Sequence, residues 1–546
     1  MAQEHHLDAL VVGAGFGGIY ALYSLLKEGL TAQAIDNAPD VGGTWYWNRY
    51  PGALSDSWSH LYRFTFDPEL LRSYPWRKRY LTQPEILKYL QHVVERYHLR
   101  PHMQFSTRMQ NAEWNDATKT WTVRCHTGDV FHVRYLFTAL GLLLKAHIPA
   151  MPGIERFQGE IHHTSDWTPD VALENQRVGV IGVGSTGVQV VSAIADQVKS
   201  LHVFVRHPQY VVPSGNRDVT APERDLINQN YRAILADART STFAMGTPEP
   251  SRTLRSLSPA DRALLMEELW QTGNGFMFMV GGFSDIVTDD AANEEMAQFI
   301  RNKIAGIVED PQKRAVLTPR EPYGRRPLCN DGYYEAFNRD NVFAVDVSTH
   351  AITEVTPDGI RTADGTVHEL DVIIFATGFD AMDGSYAGVG IQGRGGQNLY
   401  DLWKPSGPSS YIGMSVSGFP NLLLVNGPHM VFANIPLSLE TSVDFTMDLV
   451  RRSEEISTRT GCQCEIEASE EAQRAWTDES RSSLAGTVFE KLPSWLLGKN
   501  IDGKAPSVPF YFGGLGKFRA LLADIKAKGF EGFQSPLGPA GPKTRL

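Results

Sequence analysis

Two glycine-rich turns in the sequence have the spacing that binds a dinucleotide pyrophosphate. The glycines are Gly13, Gly15 and Gly18 in the first turn, and Gly182, Gly184 and Gly187 in the second. In each turn the first glycine can make a tight bend, the second lets a pyrophosphate approach the backbone, and the third lets the following helix pack closely. The helix N-terminus would add the positive end of its dipole. The chain therefore carries two candidate dinucleotide sites.

The two turns differ in the residue that would meet the adenosine ribose. Asp36 ends the strand after the first turn, where a carboxylate can accept hydrogen bonds from both ribose hydroxyls. Arg206 ends the strand after the second turn, where a guanidinium can hold a 2'-phosphate that an aspartate would repel. The first site therefore predicts FAD and the second NADPH. For Arg206 taken alone, an ordinary surface arginine at a strand end is the alternative.

A flavoprotein that accepts hydride from NADPH must pass the electrons on. A disulfide reductase needs a paired redox cysteine motif soon after the first turn, and residues 42–56 (GGTWYWNRYPGALSD) contain no cysteine. Cys462 and Cys464 could form a redox pair, but packing is favoured because basic residues that would activate a thiol are lacking nearby. We therefore expect a small acceptor: oxygen followed by a substrate, or a second diffusing molecule.

The segment FQGEIHHTSDW, just ahead of the second turn, has the pattern F-x-G-x-x-x-H-x-x-x-W. Its four fixed residues are Phe157, Gly159, His163 and Trp167. Through this fingerprint the chain resembles the Baeyer–Villiger monooxygenases, although Thr168 stands where the family usually has Pro or Asp. The resemblance extends over nearly the whole chain and is greatest to the cyclohexanone monooxygenase type. It includes GGTWYWNRYPG (42–52), RRPLC (325–329), NRDNV (338–342), ATGFDA (376–381), WKPSGPSSYIGM, SWLLGKNIDGK and FYFGGL.

The resemblance implies an FAD-dependent enzyme that consumes NADPH and O2 and converts cyclic or other ketones to lactones or esters. In the family a C4a-peroxyflavin must stay anionic to attack the ketone carbonyl. An arginine suits this role because its pKa exceeds about 12 and it does not donate its proton. The resemblance places this arginine at Arg326, with Asp56 holding it, and Arg325 where the family has a lysine that reaches the 2'-phosphate.

The resemblance also implies the other contact residues. The further cofactor contacts would be Phe16, Thr44, Trp45, Trp47, Tyr62, Ser185, Thr186 and His207. Trp495 would close over the nicotinamide and substrate from a mobile lid. The apolar pocket walls would be Leu142, Leu143, Phe276, Phe278, Phe432 and Leu437. We expect His163 to transmit domain positioning rather than to take part in chemistry.

One stretch departs from the family, and two other functions stay open. Where cyclohexanone-type enzymes have GPNGPFTNLPPS, this chain has GPHMVFANIPLS, so His429, Met430 and Val431 change the region near the ketone. The first alternative function is a flavin monooxygenase that oxygenates nitrogen or sulfur, against which the fingerprint argues. The second is an NADPH oxidase or dinucleotide-sensing flavoprotein without oxygen transfer. No metal is expected, since His162 and His163 have no Cys or carboxylate partner at metal spacing.

The elements that must position these residues are short buried strands followed by helices. Apolar runs predict strands at 7–12, 31–35, 136–141, 177–181, 201–205 and 371–375. Between about 222 and 318 the pattern of apolar residues predicts helices. We therefore predict an α/β fold with two Rossmann-like dinucleotide-binding domains and a helical insertion in the NADP domain. The predicted parts are FAD domain 1–140 and 385–546, NADP domain 141–221 and 331–384, insertion 222–330, and a lid near 488–508.

Composition limits the partners. With 51 Lys and Arg against 62 Asp and Glu, the net charge of -11 opposes binding to a nucleic-acid backbone. The four scattered cysteines fit a reducing compartment, and no run of 18 apolar residues or signal-like N-terminus occurs. We expect a cytoplasmic monomer with a small ketone and O2 as partners, and no nucleic acid or membrane.

Overall fold

Two β-sheets, one for each glycine turn, form the framework of the chain; the first is mixed and the second is parallel. This is seen in a computed structural model that describes residues 3–246, 249–499, 501, 503–505 and 507–538. Each glycine turn joins a buried strand to a helix, as the sequence predicts. The predicted α/β class with two Rossmann-like units is confirmed.

The first sheet is completed by strands from distant parts of the chain. Its neighbouring strands are, in order, Gly390–Gln392, Met109–Asn115, Thr120–Cys125, Val130–Thr138, Glu4–Val12, Ala32–Ile35 and Met103–Gln104, and Leu422–Leu424 also pairs with Val130–Thr138. Glu4–Val12 runs parallel to both of its neighbours. The strand predicted at 136–141 ends at Thr138, because the chain turns at Gly141, whose φ is 78°.

The second sheet is entirely parallel. Its neighbouring strands are, in order, Val342–Asp346, Ser200–Val205, Arg177–Ile181, Val372–Phe375 and Glu160–His163. The fingerprint histidine thus ends an edge strand of this sheet. The smaller strand groups are the antiparallel Ile352–Thr356, Gly359–Thr362 and Val367–Glu369, and the parallel pairs Val211–Val212 with Leu328–Cys329 and Met430–Val431 with Phe510–Tyr511.

Helices cover the sheets and fill the predicted helical segment. The α-helices of that segment are Ala221–Thr240, Pro259–Thr272, Gly275–Val280, Asp290–Ile307 and Pro311–Leu317. The other α-helices are Phe16–Lys27, Thr44–Trp47, Pro68–Ser73, Gln83–Arg96, Ser185–Ile194, Tyr333–Ala336, Leu399–Trp403, Ile435–Thr460, Glu470–Ser482 and Leu515–Ala527. Ser258 begins its helix as the sequence predicts, because its hydroxyl accepts a hydrogen bond from Asp261 N (3.2 Å).

The core is divided between the two sheets. The larger cluster packs the first sheet against helices Phe16–Lys27 and Ile435–Thr460, and a second cluster packs the second sheet against the helical segment. Among the helices that the structure describes, none combines the length and apolarity needed to cross a bilayer.

Candidate active site

Only glycine fits at two of the three positions of the first turn. Gly13 has a φ of +113°, and a Cβ there would stand 2.3 Å from the carbonyl oxygen of Ala139. A Cβ on Gly18 would stand 1.8 Å from the carbonyl oxygen of Gly13. The helix makes its first hydrogen bond from Ile19 N to Gly15 O (3.0 Å), so the amides before Ile19 have no acceptor within the helix. These amides can bind an anion.

Asp36 is held at the edge of this turn by backbone amides. Its carboxylate accepts hydrogen bonds from Ala14 N (2.5 Å) and Ala38 N (2.7 Å). Burial raises the pKa of Asp36, and these two bonds oppose that rise. Gly43 lies over the turn with a φ of +53°, and a Cβ on Gly43 would stand 2.8 Å from Gly15 Cα. The residues therefore form a cradle that fits the pyrophosphate and ribose of FAD.

Aromatic residues next to this cradle can pack against an isoalloxazine. Trp45 Nε1 donates to the hydroxyl of Tyr62 at 3.1 Å, and the Tyr62 ring meets Phe16 edge to face at 5.3 Å. Thr44 and Trp47 lie at the two ends of the same short helix, Thr44–Trp47. The structure thus brings the predicted flavin contacts together.

The second turn repeats the geometry of the first. Gly182 has a φ of +104°, and a Cβ on Gly187 would stand 2.1 Å from Gly182 O. Ser185 and Thr186 begin the helix, whose first hydrogen bond runs from Val188 N to Gly184 O (3.0 Å). The second turn can therefore bind an anion in the same way.

Arg206, His207 and Arg325 are the candidates for binding a 2'-phosphate at the second site. Arg206 is exposed and has no hydrogen bond or ion pair within the part of the chain that the structure describes. His207 Nδ1 lies 3.6 Å from Glu321 Oε1, and Arg325 forms an ion pair with the same glutamate. Arg325 Nη2 is buried without a hydrogen-bond partner among the described residues. Burial lowers the pKa of His207, the Arg325 charge acts in the same direction, and Glu321 opposes both. The donor set fits a 2'-phosphate, and hence NADP.

Arg326 and Asp56 form an ion pair at the centre of the site. Arg326 Nη1 lies 2.5 Å from Asp56 Oδ2. Burial acts to lower the pKa of Arg326, but the Asp56 carboxylate outweighs it and the net pKa is raised. The guanidinium carbon also stands 5.4 Å from the ring centre of Phe276. The site therefore holds a permanent cation.

Asn274 connects Asp56 to the helix that carries Phe276. Its Nδ2 donates to Asp56 O and to the Tyr80 hydroxyl, both at 3.0 Å. Its Oδ1 accepts from Met277 N (3.0 Å) and so caps helix Gly275–Val280. Asn274 is not among the residues that the sequence predicts for the site. The only signal was an Asn–Gly pair before an apolar run, which is typical of a helix start.

An aromatic cluster extends from Arg326 to Trp495. Phe432 stands 6.3 Å from Phe276 and 5.4 Å from Phe510, and Phe510 meets Trp495 edge to face at 5.8 Å. The cluster consists of Phe243, Phe276, Phe432, Trp495, Phe510 and Phe512. No motif marks Phe243. Phe510 and Phe512 belong to the family-like stretch FYFGGL, but the sequence does not show that they line the pocket. The structure thus places an apolar aromatic wall beside a fixed positive charge.

The other four predicted pocket residues have different surroundings. Phe278 is fully buried against Trp270 and Phe299 in the helical core, since residues two apart on a helix face different sides. Leu437 is buried in the core of the first sheet. Leu142 is half-buried in the second core, and Leu143 is 37% exposed. Leu142 thus packs on the same core as Phe432, Trp495 and Phe510.

The stretch that departs from the family lies directly under this cluster. Met430–Val431 pairs with Phe510–Tyr511 as parallel strands, and His429, Met430 and Val431 are all buried. Burial lowers the pKa of His429 to about 4, so the imidazole is neutral at neutral pH. The departure therefore changes the packing that supports Phe510.

The two nucleotide sites are in direct contact. The Tyr50 hydroxyl donates to Gln189 Oε1 (2.9 Å), and Gln189 Nε2 donates to Leu54 O (3.0 Å). A Cβ on Gly52 would stand 2.5 Å from Gln189 O. The loop that carries Asp56 is thereby packed against the helix of the second turn.

The fingerprint residues support the second sheet. His163 is buried; its Nε2 lies 3.1 Å from Gly378 O, and its Nδ1 lies 2.7 Å from the Ser165 hydroxyl. A Cβ on Gly159 would stand 2.1 Å from Asp371 O. Phe157 packs under the antiparallel strands and Trp167 lies in the second core. His163 thus holds the loop after strand Val372–Phe375.

One group of side chains has the spacing of metal ligands in the described part of the chain. Glu4, His6 and His132 offer ligand atoms within 4.8 Å of one another. They lie at the end of strand Glu4–Val12 that is opposite Gly13, away from the Arg326 site.

Comparisons with known proteins agree on one class. The flavin-binding monooxygenase-like family model matches residues 8–247. A Baeyer-Villiger monooxygenase of Pseudooceanicola batsensis is 45% identical over 527 residues, which cover 96% of this chain and 95% of that protein. Phenazine N-monooxygenase PhzNO1 of Lysobacter antibioticus is 44% identical, with 97% of both chains covered. The crystal structure of cyclohexanone monooxygenase from Rhodococcus sp. Phi1 bound to NADP+ superposes with a TM-score of 0.95 at 46% identity, covering 97% of this chain and 99% of that one.

Proposed function

The chain belongs to the Baeyer–Villiger monooxygenases, and from this premise we propose that it inserts one oxygen atom of O2 into a ketone to give an ester or lactone. The observation that supports the proposal is the charged Arg326–Asp56 pair, which stands between two dinucleotide cradles and against an aromatic wall. No other group of described residues combines these three features.

The cofactors are FAD and NADP(H), as in the family. When bound, FAD takes hydride from NADPH and passes two electrons to O2. The first turn and Asp36 would hold FAD. The second turn, Arg206 and Arg325 would hold NADPH.

Arg326 would stabilise negative charge on the oxygen that attacks the ketone. Its raised pKa means that it offers charge and hydrogen bonds without giving up a proton. Asp56 keeps the guanidinium in place, and Asn274 keeps Asp56 in place. Phe276, Phe432 and Trp495 would exclude water and bind the apolar part of the ketone.

N-oxygenation is the second candidate, because the Lysobacter relative is as similar as the ketone-converting ones. An amine is itself a nucleophile and needs a protonated, electrophilic oxygen donor. A permanent cation that cannot supply a proton favours the anionic donor that a ketone needs, so we place ketone oxygenation first.

Replacing Arg326 tests the proposal. We expect Arg326→Ala to retain FAD and to form ester about 100- to 1000-fold more slowly, because a fixed electrostatic contact to the developing charge is lost. The measurement is a ketone panel analysed by mass spectrometry for esters and lactones, with NADPH and peroxide followed in parallel. Arg320→Ala, an exposed arginine nearby, is the matched control.

Three results would contradict the proposal. Ester formation by Arg326→Ala at the wild-type rate would remove Arg326 from the chemistry. N-oxide or sulfoxide as the only products of the wild-type enzyme would favour the second candidate. Peroxide without any organic product over the whole panel would indicate an NADPH oxidase.

A further inference from the structure

Lys504 is a buried lysine that belongs to the same segment as Trp495. Its side chain is 13% exposed, and Nζ lies 2.7 Å from Asp380 Oδ1 and 3.2 Å from Ala381 O. It also forms an ion pair with Asp383. Both carboxylates are 10% exposed. A lysine this deeply buried requires such partners, because an unpaired ammonium would lose its hydration without compensation.

The two aspartates lie in the loop that follows strand Val372–Phe375, which we call the Asp380 loop (376–386). This loop is held by contacts that do not involve Lys504. Asp380 N donates to Lys145 O (2.9 Å), and Lys145 Nζ lies 3.1 Å from Asp380 Oδ2. His163 Nε2 lies 3.1 Å from Gly378 O. The Asp380 loop is therefore a fixed support that includes a contact of the fingerprint histidine.

Among its described residues, the Trp495 segment (494–505) has one charged attachment to this support, at Lys504. Residues 500 and 502 of the segment, and residue 506 of the predicted lid, lie outside the described residues. At the other end Trp495 packs edge to face on Phe510. Lys504 is its one described cation with a carboxylate partner, since Lys499 is exposed and has no ion pair within the described part of the chain.

Two lysines and two aspartates meet at the Asp380 loop, so their charges cancel. Lys145 and Lys504 face Asp380 and Asp383, and Lys504 is the only described cation that meets Asp383. Burial acts to lower the pKa of Lys504, but the two carboxylates outweigh it and the net pKa is raised. The lysine therefore stays charged in the folded protein, and the attachment persists over the neutral pH range.

We propose that Lys504 is a positioning residue that anchors the Trp495 segment to the Asp380 loop and thereby holds Trp495 on the aromatic cluster. Its effect on product formation rests on the proposed function, since water exclusion matters only if an oxygenating intermediate must be protected. The attachment itself does not depend on that chemistry. The anchor also connects the segment to the fingerprint residue His163 through the Asp380 loop.

The test uses the FAD-loaded enzyme and four variants. Lys504→Met removes the anchor, Lys504→Arg keeps its charge, and Lys499→Met is the matched control in the same segment. The double variant Lys504→Met with Asp383→Asn removes the anchor without leaving a buried carboxylate unpaired. The first readout is the rate of chymotrypsin cleavage at Trp495 and its neighbouring leucines, with NADP+ bound. The second is the share of NADPH consumed that gives peroxide instead of ester.

We expect Lys504→Met and the double variant to be cleaved about tenfold faster than wild type, because cleavage follows the population of the released segment. We expect their peroxide share to rise about fivefold at unchanged FAD content, as water reaches the site. Lys504→Arg should stay within about twofold of wild type, as Lys499→Met should.

Two outcomes would overturn the anchor: cleavage and peroxide share of Lys504→Met equal to those of Lys499→Met, or restoration of both by Asp383→Asn in the double variant. Restoration would mean that the effect came from an unpaired carboxylate. If wild type makes no ester while Lys504→Met is still cleaved faster, the proposed function fails and the anchor stands.

Discussion

The two glycine turns have the same backbone geometry but differ in how far their ligand-binding groups are already held. In the first, Gly43 covers Gly15 and the Asp36 carboxylate is bound by two amides. In the second, a Cβ on Gly184 would meet nothing within 4 Å, and Arg206 is exposed without a described partner. A covered and preorganised site suits a resident cofactor, while an open site suits a coenzyme that enters and leaves.

The physical reason lies in the cost of ordering. Groups that are already fixed lose little conformational freedom when a ligand binds, so more of the contact energy appears as affinity. A free arginine loses side-chain entropy on binding, which reduces the net gain. Removing one fixed group should therefore abolish most of the FAD affinity of the first site. Removing one group of the second site should lower its NADPH affinity only in part.

Asp36→Ala should strongly weaken FAD binding at the first site. Two buried amides would lose their acceptor and the ribose its carboxylate, so we expect FAD affinity to fall by about 4 kcal/mol, roughly a thousandfold. The measurement is the ratio of flavin to protein absorbance after purification, followed by titration of FAD into the apoprotein. Asp40→Ala, which removes a carboxylate of the same loop, is the control. Full FAD occupancy in Asp36→Ala would show that the first site is not preorganised by Asp36.

A buried acid beside the first sheet, Glu440, should make the stability of the protein depend on pH. Glu440 lies on helix Ile435–Thr460 beside the first sheet and accepts hydrogen bonds from Thr65 N (2.5 Å) and Phe66 N (3.1 Å). Burial raises its pKa from 4.5 to about 7, with Thr65 opposing the rise. The folded state therefore holds a proton that the unfolded state releases, and stability falls as pH rises from about 4.5 through 7.

We expect Glu440→Gln to match wild type at pH 5 and to exceed its free energy of unfolding by up to about 3 kcal/mol at pH 8. Urea titration followed by flavin release and far-ultraviolet circular dichroism measures this difference. Glu471→Gln, at an exposed position, should show no such pH dependence. An equal response of both variants would remove Glu440 as the origin.

Arg206→Ala should weaken NADPH binding at the second site by a smaller amount. Loss of a charged hydrogen bond to the 2'-phosphate should weaken NADPH binding by about 1.5 to 3 kcal/mol while FAD content and NADH affinity change little. The measurement is the dissociation constant of each coenzyme in the FAD-loaded enzyme. Arg206→Lys should recover part of the loss as a point charge. Equal weakening of NADPH and NADH would place Arg206 away from the phosphate.

Whether a feature could be predicted from the sequence depends on how far apart in the chain its interacting residues lie. The strand–turn–helix units depend on local patterns, so both turns and the residues ending their second strands, Asp36 and Arg206, were predictable. The pairing of Arg326 with Asp56 followed from family resemblance, and the structure places the two in contact. Asn274 could not be found, and the role of Phe510 could not be read from its family-like stretch, because both depend on contacts between distant segments.

The sequence also did not show which side of a helix a residue faces. Phe276 and Phe278 are two positions apart on one helix, and only the packing of that helix decides which ring meets Phe432. The same holds for Lys504, whose partners Asp380 and Asp383 stand more than a hundred positions earlier in the chain.

Gly184→Ala gives the smallest and most specific contrast. The backbone at Gly184 has a φ of -70°, and an added Cβ meets nothing, so stability should stay level or rise by up to about 1 kcal/mol. NADPH affinity should nevertheless fall several-fold, by about 1 kcal/mol, because the methyl group stands where a pyrophosphate would approach the turn. Differential scanning calorimetry and NADPH titration separate the two effects. Gly15→Ala is the counterpart: its Cβ would be in ordinary contact with Gly43 Cα at 3.4 Å, so stability should change little, while flavin content should decrease because the methyl group stands where the pyrophosphate approaches. Unchanged NADPH affinity in Gly184→Ala would mean that the open turn does not receive the coenzyme at this position, and that the two turns differ in function as well as in order.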